Sequence, residues 1–487
     1  RIGMLDTFSL LSGDATHFLN DAYGIKSQKN DEYWVALQRG VMPPPPKVPF
    51  ITERFVTMLL GAGINLRQEG SKLTASPLTD AQIKSMSHGE IDKPLVVKST
   101  NLMPEKGGLF DPVKTGGIGG NRFNHIELVT PIPNPLMLDA ITSVTRLPKA
   151  DTLNQIIEGN LAVTPAGEVV KDLSAGDSHG AGVVNLLKNV DVAKEITRTQ
   201  AEIKTAKADK LNVAYRRLKY LRALKELNLK PVEAYTNKFV PIIPAKFRNV
   251  QPRTDGSLNV ADANFGYREV IMINNQLKKL STAGISQDNL KALNRDLFRA
   301  VSGITGITAP LTRAADVSGF IEKIKGPSPK MGFFQSRVLT RAQDLSARST
   351  VIPNPKLGLD EIGLPTEMAL TIYKPFVVKR LVSLGYDPLR ARELVEKKDE
   401  LAIRVLQAEV EERPAIMNRA PSLHKFNLQA FKPKLIEGRA VEVNPLIVAG
   451  YNMDFDGDTA GIHVPVSEDA RKEAWDKLMP SRNLFST

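Results

Sequence analysis

Apolar residues recur at three- and four-residue steps at Leu211, Ala214, Leu218, Leu221, Leu224 and Leu227, a spacing that predicts one long amphipathic helix across 191–230, ended by Pro231. Near the C-terminal end the pattern changes. Two short apolar runs, Leu446-Ile447-Val448-Ala449 and Ala460-Gly461-Ile462, bracket a stretch with acidic residues at every second position. Flanks of that kind predict that buried elements carry the stretch, because a free surface turn rarely sits between apolar runs. Met42-Pro43-Pro44-Pro45-Pro46 predicts a stiff, extended connector.

The acidic stretch is Tyr451-Asn452-Met453-Asp454-Phe455-Asp456-Gly457-Asp458. In an extended strand or tight loop alternate side chains fall on one side, so Asp454, Asp456 and Asp458 can converge on one point, and Gly457 supplies the turn. Three carboxylates so close repel one another, and a hard divalent cation with oxygen ligands, Mg2+, is the natural compensation. An EF-hand starting at Asp454 would need Gly and Glu where Thr459 and Pro465 stand. A phosphatase-type nucleophile loop starting at Asp456 would need Thr or Val in place of Ala460.

Composition narrows the setting. The 487 residues leave room for two to four domains, and 42% hydrophobic content supports sizeable cores. A net charge of +12 and a pI near 9.5 suit a polyanionic partner, although ribosomal or membrane-surface proteins look similar. Eleven Lys or Arg against five Asp or Glu in 191–230 give the predicted helix a basic, mainly solvated face. There is no cysteine, which excludes a Cys-type zinc site. With no run of 18 apolar residues and no N-terminal signal pattern, a soluble cytoplasmic protein without a membrane partner is expected.

Read together with Asn418-Arg419-Ala420-Pro421-Ser422-Leu423-His424-Lys425, Gln429-Ala430-Phe431, Leu435-Ile436-Glu437-Gly438, Asn444-Pro445-Leu446 and His463-Val464-Pro465, the aspartate stretch closely resembles the catalytic region of the largest subunit, β′, of multisubunit RNA polymerases. The family loop reads Asn-Ala-Asp-Phe-Asp-Gly-Asp, and this chain departs from it at Met453. The resemblance implies that Asp454, Asp456 and Asp458 are the catalytic ligands of Mg2+, and that Arg419 and Asn452 recognise the sugar of the incoming nucleotide. His424 is given no chemistry. It further implies a mixed α/β multidomain fold: a segment like the C-terminal end of β over 1–75, an α-rich clamp over 76–330, and a switch segment with a double-psi β-barrel over 331–487.

Other matches fill in that division. Leu60-Gly61-Ala62-Gly63-Ile64-Asn65-Leu66 resembles the end of β, the second-largest subunit, and Ser85-Met86-Ser87-His88-Gly89-Glu90-Ile91 the start of β′. Where bacterial relatives insert a zinc ribbon, Thr115-Gly116-Gly117-Ile118-Gly119-Gly120 leads almost at once into Asn124-His125-Ile126-Glu127-Leu128. Pro244-Ala245-Lys246-Phe247-Arg248 with Asp255-Gly256 resembles the lid, and Tyr267-Arg268 with Asn274-Asn275 the first clamp helix. The segment to about Arg313 is short for the clamp helices, which argues against a standard bacterial specificity factor. Ser346-Ala347-Arg348-Ser349 resembles the switch segment. On these matches Arg341, Arg348, Lys246 and Arg248 are expected nucleic-acid contacts. The family's bridge helix, trigger loop and phosphate-binding lysines are not among the matched segments. The resemblance therefore implies a DNA-directed RNA polymerase active only with other subunits, with DNA template, RNA product and nucleoside triphosphates as partners. The split subunits and missing ribbon point to a large-phage or other viral enzyme. A non-catalytic scaffold or clamp derived from a polymerase, and an RNA-templated polymerase with a related barrel, are the competing readings.

Overall fold

Six short segments rich in β-branched and aliphatic residues form a closed barrel: β1 (Ser346–Pro353), β2 (Glu361–Pro365), β3 (Ala415–Asn418), β4 (Leu428–Ile436), β5 (Val441–Val443) and β6 (Thr459–His463). In the computed structural model these strands follow the order β1-β5-β2-β4-β3-β6, and β6 closes on β1. β1 runs parallel to β5 and β2 parallel to β4, while the other pairings are antiparallel. The structure describes residues 1–487 apart from 71, 99, 100, 103, 149, 206, 284–286, 312–316 and 485–487. Arg313 and the last three residues therefore lie outside the described part.

The chain forms two compact units, Arg1–Glu53 with Phe334–Thr487, and Arg54–Phe333. In the first, the barrel interior and the helices between β2 and β3 share one core. Ile362, Leu364, Met417, Phe431 and Ile462 pack with Phe376, Leu381, Leu394, Leu406 and Val410. Each large aliphatic or aromatic side chain so buried contributes roughly 2 kcal/mol of transfer free energy. The helix starts follow from the sequence: Asp387 caps Pro388–Glu396 by accepting from Leu389 and Arg390 N–H, with Pro388 in the first turn, and Asp399 caps Glu400–Glu412. The N-terminal residues belong to this unit by specific bonds. Asp21 accepts from the Val466 and Ser467 amides at 2.7 and 2.9 Å, and the fully buried Lys26 donates to the Val464 carbonyl at 2.8 Å. Phe18 and Leu10 share a core with Ile416, Leu428 and Leu478.

In the second unit the strand Phe123–Pro133 lies between Ser87–Glu90 and Thr236–Ile242. Its register with Thr236–Ile242 slips between Glu127 and Ile132. Asn274 fills the slip: its amide oxygen accepts from Val129 N–H at 2.9 Å and its amide nitrogen donates to the Glu127 carbonyl at 2.8 Å. Tyr267, from the same helix Asp262–Thr282, donates to the Pro241 carbonyl at 3.0 Å and accepts from Ile243 N–H at 3.1 Å. The lid-like segment is a hairpin of Val250–Pro252 and Leu258–Val260 with Gly256 at φ 81°. Among the described residues no helix is long and apolar enough to cross a membrane.

One helix over 191–230 is corrected to two, Val192–Thr205 and Ala208–Glu226. Ala214, Leu218, Leu221 and Leu224 are buried as the spacing predicts. The stop is misplaced, however. Asn228 ends the helix at φ 52°, a left-handed conformation Asn tolerates, whereas Pro231 opens the next helix, Pro231–Tyr235.

The glycine-rich junction has a definite geometry. A Cβ on Gly120 would stand 1.8 Å from the Thr115 carbonyl oxygen, and Thr115 is itself buried and donates its hydroxyl to the Asp111 carbonyl. Gly120→Ala is expected to destabilise this turn by about 2 kcal/mol or more. Faster tryptic cleavage at Lys114 and Arg122 in the assembled protein would show it; unchanged cleavage would mean that the backbone relaxes freely.

Candidate catalytic metal centre

The aspartate loop connects β5 to β6 and is anchored at both ends. After β5, Asn444 caps a short turn by accepting from Leu446 N–H at 2.9 Å, and Pro445 starts it. The helix Val448–Tyr451 follows, then Asn452 at φ 48° turns the chain outward. Tyr451 is fully buried, and its hydroxyl accepts from Gln429 N–H at 3.2 Å and donates to the Met417 carbonyl at 3.3 Å. That single side chain ties the start of the loop to β3 and β4. At the far end the Asp458 carbonyl accepts from Val351 N–H on β1 at 3.1 Å. Met453, the departure from the family loop, points into the barrel core and so leaves the carboxylates outside.

Asp454 and Asp456 are exposed and Asp458 partly so, and one carboxylate oxygen from each lies within 4.8 Å of the others. An octahedral Mg2+ with bonds of about 2.0–2.1 Å separates neighbouring oxygens by roughly 3 Å, so small side-chain rotations would bring the three into one shell. The donor set is oxygen only, which fits a hard cation. Electrostatics mark the crowding. Asp454, which can accept a hydrogen bond from protonated Asp456 and whose charge opposes its ionisation, then desolvation and the charge of Asp458, raise the Asp456 pKa above the usual carboxylate value. Asp458 is held below it, chiefly by Arg419.

Arg419 grips Asp458 with two parallel bonds, Nε to Oδ2 at 2.9 Å and Nη2 to Oδ1 at 3.2 Å. It follows β3 directly, and Asn452 stands exposed two residues before Asp454. The residues expected to carry substrate recognition therefore flank the carboxylates. Arg348, on β1, is exposed and donates from Nε to Thr459 Oγ1 at 2.8 Å, one residue beyond Asp458. His424 accepts from Phe426 N–H and caps the turn Lys425–Asn427, a structural role.

Two expected nucleic-acid contacts are corrected. Arg341 is 4% exposed, and its guanidinium donates to the Val338 carbonyl, Ser27 and Thr52 and faces the Tyr23 ring. Arg248 is wholly buried, with Nε on the Ile243 carbonyl, Nη1 on Asn264 and Nη2 on the Leu109 carbonyl. Neither presents a donor to a phosphate. Lys246 is partly buried, with its ammonium 4.6 Å from the Phe247 ring centre. Tyr451 was missed as part of the site, although a Tyr at the end of the apolar run before the aspartates was the available signal. Asp6, which binds Asn418 and Ser422 on either side of Arg419, carried no signal, because more than 400 residues separate the partners.

Residues 385–480 match the family described as RNA polymerase Rpb1, domain 2. Curated relatives match much more of the chain. The DNA-directed RNA polymerase subunit beta' of Acinetobacter baumannii (strain ATCC 17978) is 32% identical over 474 residues, covering 83% of this chain and 33% of that protein. The proteins of the same name from Bordetella avium and Idiomarina loihiensis are 29% and 30% identical over 467 residues, with the same coverage of 83% and 33%. The chain thus spans about a third of the length of the curated relatives it matches.

Proposed function

Because the chain contains a region of the largest subunit of multisubunit RNA polymerases, we propose that it carries the catalytic Mg2+ site of a DNA-directed RNA polymerase and acts within an assembly of further subunits. The observation that carries this reading is the convergence of Asp454, Asp456 and Asp458 at the edge of a closed barrel, beside Arg419. Mg2+ held there would polarise the RNA 3′-hydroxyl and offset charge on the α-phosphate. The chain's own contribution is position. Tyr451 fixes the start of the loop, β1 fixes its end, and Gly457 at φ 121° lets the carboxylates turn to one side. A loop held at both ends loses little freedom when its ligands close on an ion.

On this reading the barrel is of the double-psi kind. Residues 1–75 correspond to the end of β, 76–330 to the clamp and 331–487 to the switch segment and barrel. Partners are the remaining β and β′ parts, a DNA template, the RNA product and nucleoside triphosphates; a specificity factor, if one acts, would not be of the standard bacterial kind. Arg348, exposed one residue from the loop, is the best placed of the four basic candidates to meet a phosphate. A large-phage or other viral source is supported by the missing zinc ribbon, in whose place Thr115-Gly116-Gly117-Ile118-Gly119-Gly120 stands.

Mg2+-dependent extension of an RNA primer on a DNA template, by the complex co-purified with this chain, tests the reading. Arg419 and Asn452 allow a finer test. Each is suited to a sugar hydroxyl, Arg as donor and Asn as donor and acceptor. Arg419→Ala or Asn452→Ala is expected to lower the preference for ribonucleotides over deoxyribonucleotides by about tenfold, the worth of one good hydrogen bond. Discrimination unchanged in both variants would remove them from that role.

A further inference from the structure

The turn that carries Arg419 is suspended from the first helix of the chain. Asp6, on Met4–Ser12, accepts from Asn418 Nδ2 at 3.1 Å and from Ser422 Oγ at 2.5 Å, both on Oδ1, while Oδ2 accepts from Gly3 N–H at 2.8 Å. One turn further on, Ser9 Oγ donates to the His424 carbonyl at 2.6 Å. Asn418 and Ser422 are 7% and 3% exposed, and they sit immediately before and three residues after Arg419. Ser422 Oγ also stands 3.0 Å from Asn418 Oδ1, an alternative acceptor for its single hydrogen, but the shorter approach is to Asp6. One carboxylate thus joins both residues at the base of the turn, and the guanidinium at its tip meets Asp458 side-on. The other side of the same turn is held by Asn427, which accepts from the amides of Leu423 and His424 and donates to the Gly450 carbonyl, just before the aspartate loop.

We propose that Asp6 is a positioning residue for the metal centre: through Asn418 and Ser422 it sets the orientation of Arg419, and through Arg419 that of Asp458. The inference rests on the reading of the aspartates as metal ligands. It gives the N-terminal segment a part in the site that its distance in sequence conceals. A carboxylate is the fitting group, because Asp6 accepts three hydrogen bonds on two oxygens and donates none. An amide would present N–H to one of the three donors.

Mn2+ binding to the co-purified complex, followed by electron paramagnetic resonance, tests this for the wild type and for Asp6→Ala, Asp6→Glu and Asp456→Ala. The expected result is a site that Asp456→Ala abolishes, that Asp6→Ala weakens about tenfold, and that Asp6→Glu restores, the size being typical when a group supporting a ligand is lost. The ribonucleotide preference of Asp6→Ala should fall in parallel, since Arg419 is displaced. If wild type and Asp456→Ala bind Mn2+ alike, the metal reading fails and the proposal with it. If Asp456→Ala abolishes binding but Asp6→Ala matches wild type, the metal reading stands and Asp6 has no positioning role. Loss of assembly in Asp6→Ala, with unchanged Mn2+ affinity in the remaining complex, would overturn the proposal in favour of a purely structural contact.

Discussion

Asp456→Ala is expected to lower RNA primer extension by roughly 10^3-fold or more while leaving the complex assembled, because loss of a ligand removes several kcal/mol of charge stabilisation from the transition state. Among the three aspartates it is the cleanest to remove. Asp458 is bonded to Arg419 and to the Asp454 amide, so its loss would disturb the loop as well as the ligand set. Asp456 is exposed, and its strongest interactions are those with the neighbouring carboxylates. Deleting it relieves repulsion and breaks no buried contact. A fall in activity with normal assembly therefore reports chemistry. Equal activity in both proteins would place the active centre in another subunit and make this chain a scaffold or clamp.

The cluster of three carboxylates was legible in sequence because its members are local. Alternation across five residues is a property of the extended backbone, and Gly457 marks the turn wherever the loop is placed. The Arg419 to Asp458 pair was not legible from spacing. It joins the ends of β3 and β6 across 39 residues, and only the closed barrel brings them together. Helical periodicity behaved similarly. It located the buried face of Ala208–Glu226 but not its end, since Asn228 in a left-handed conformation stops a helix as effectively as proline and leaves a fainter trace. Asn274 and Tyr267, read as marks of a clamp helix, turn out to be the bonds that hold that helix to the sheet.

Arginine was the least legible residue of all, because its charge predicts exposure while its five donors make it equally able to knit carbonyls inside a core. Arg248 illustrates the difference and yields a decisive test. Burial lowers its pKa to about 10, yet it stays protonated at neutral pH, and its guanidinium satisfies two backbone carbonyls and Asn264 while facing the Phe110 ring at 4.7 Å. Arg248→Met would leave those acceptors unpaired in the interior, at a cost of about 3 kcal/mol. The unit Arg54–Phe333 should then be cleaved faster by protease in the assembled protein. The salt dependence of DNA binding should not change, since no phosphate is neutralised by a side chain that never meets solvent. Arg348→Ala should do the opposite, leaving protease resistance intact and lowering the slope of log K against log salt by about one. A reduced slope for Arg248→Met in a complex that remains protease-resistant would mean that the guanidinium leaves the core to reach nucleic acid.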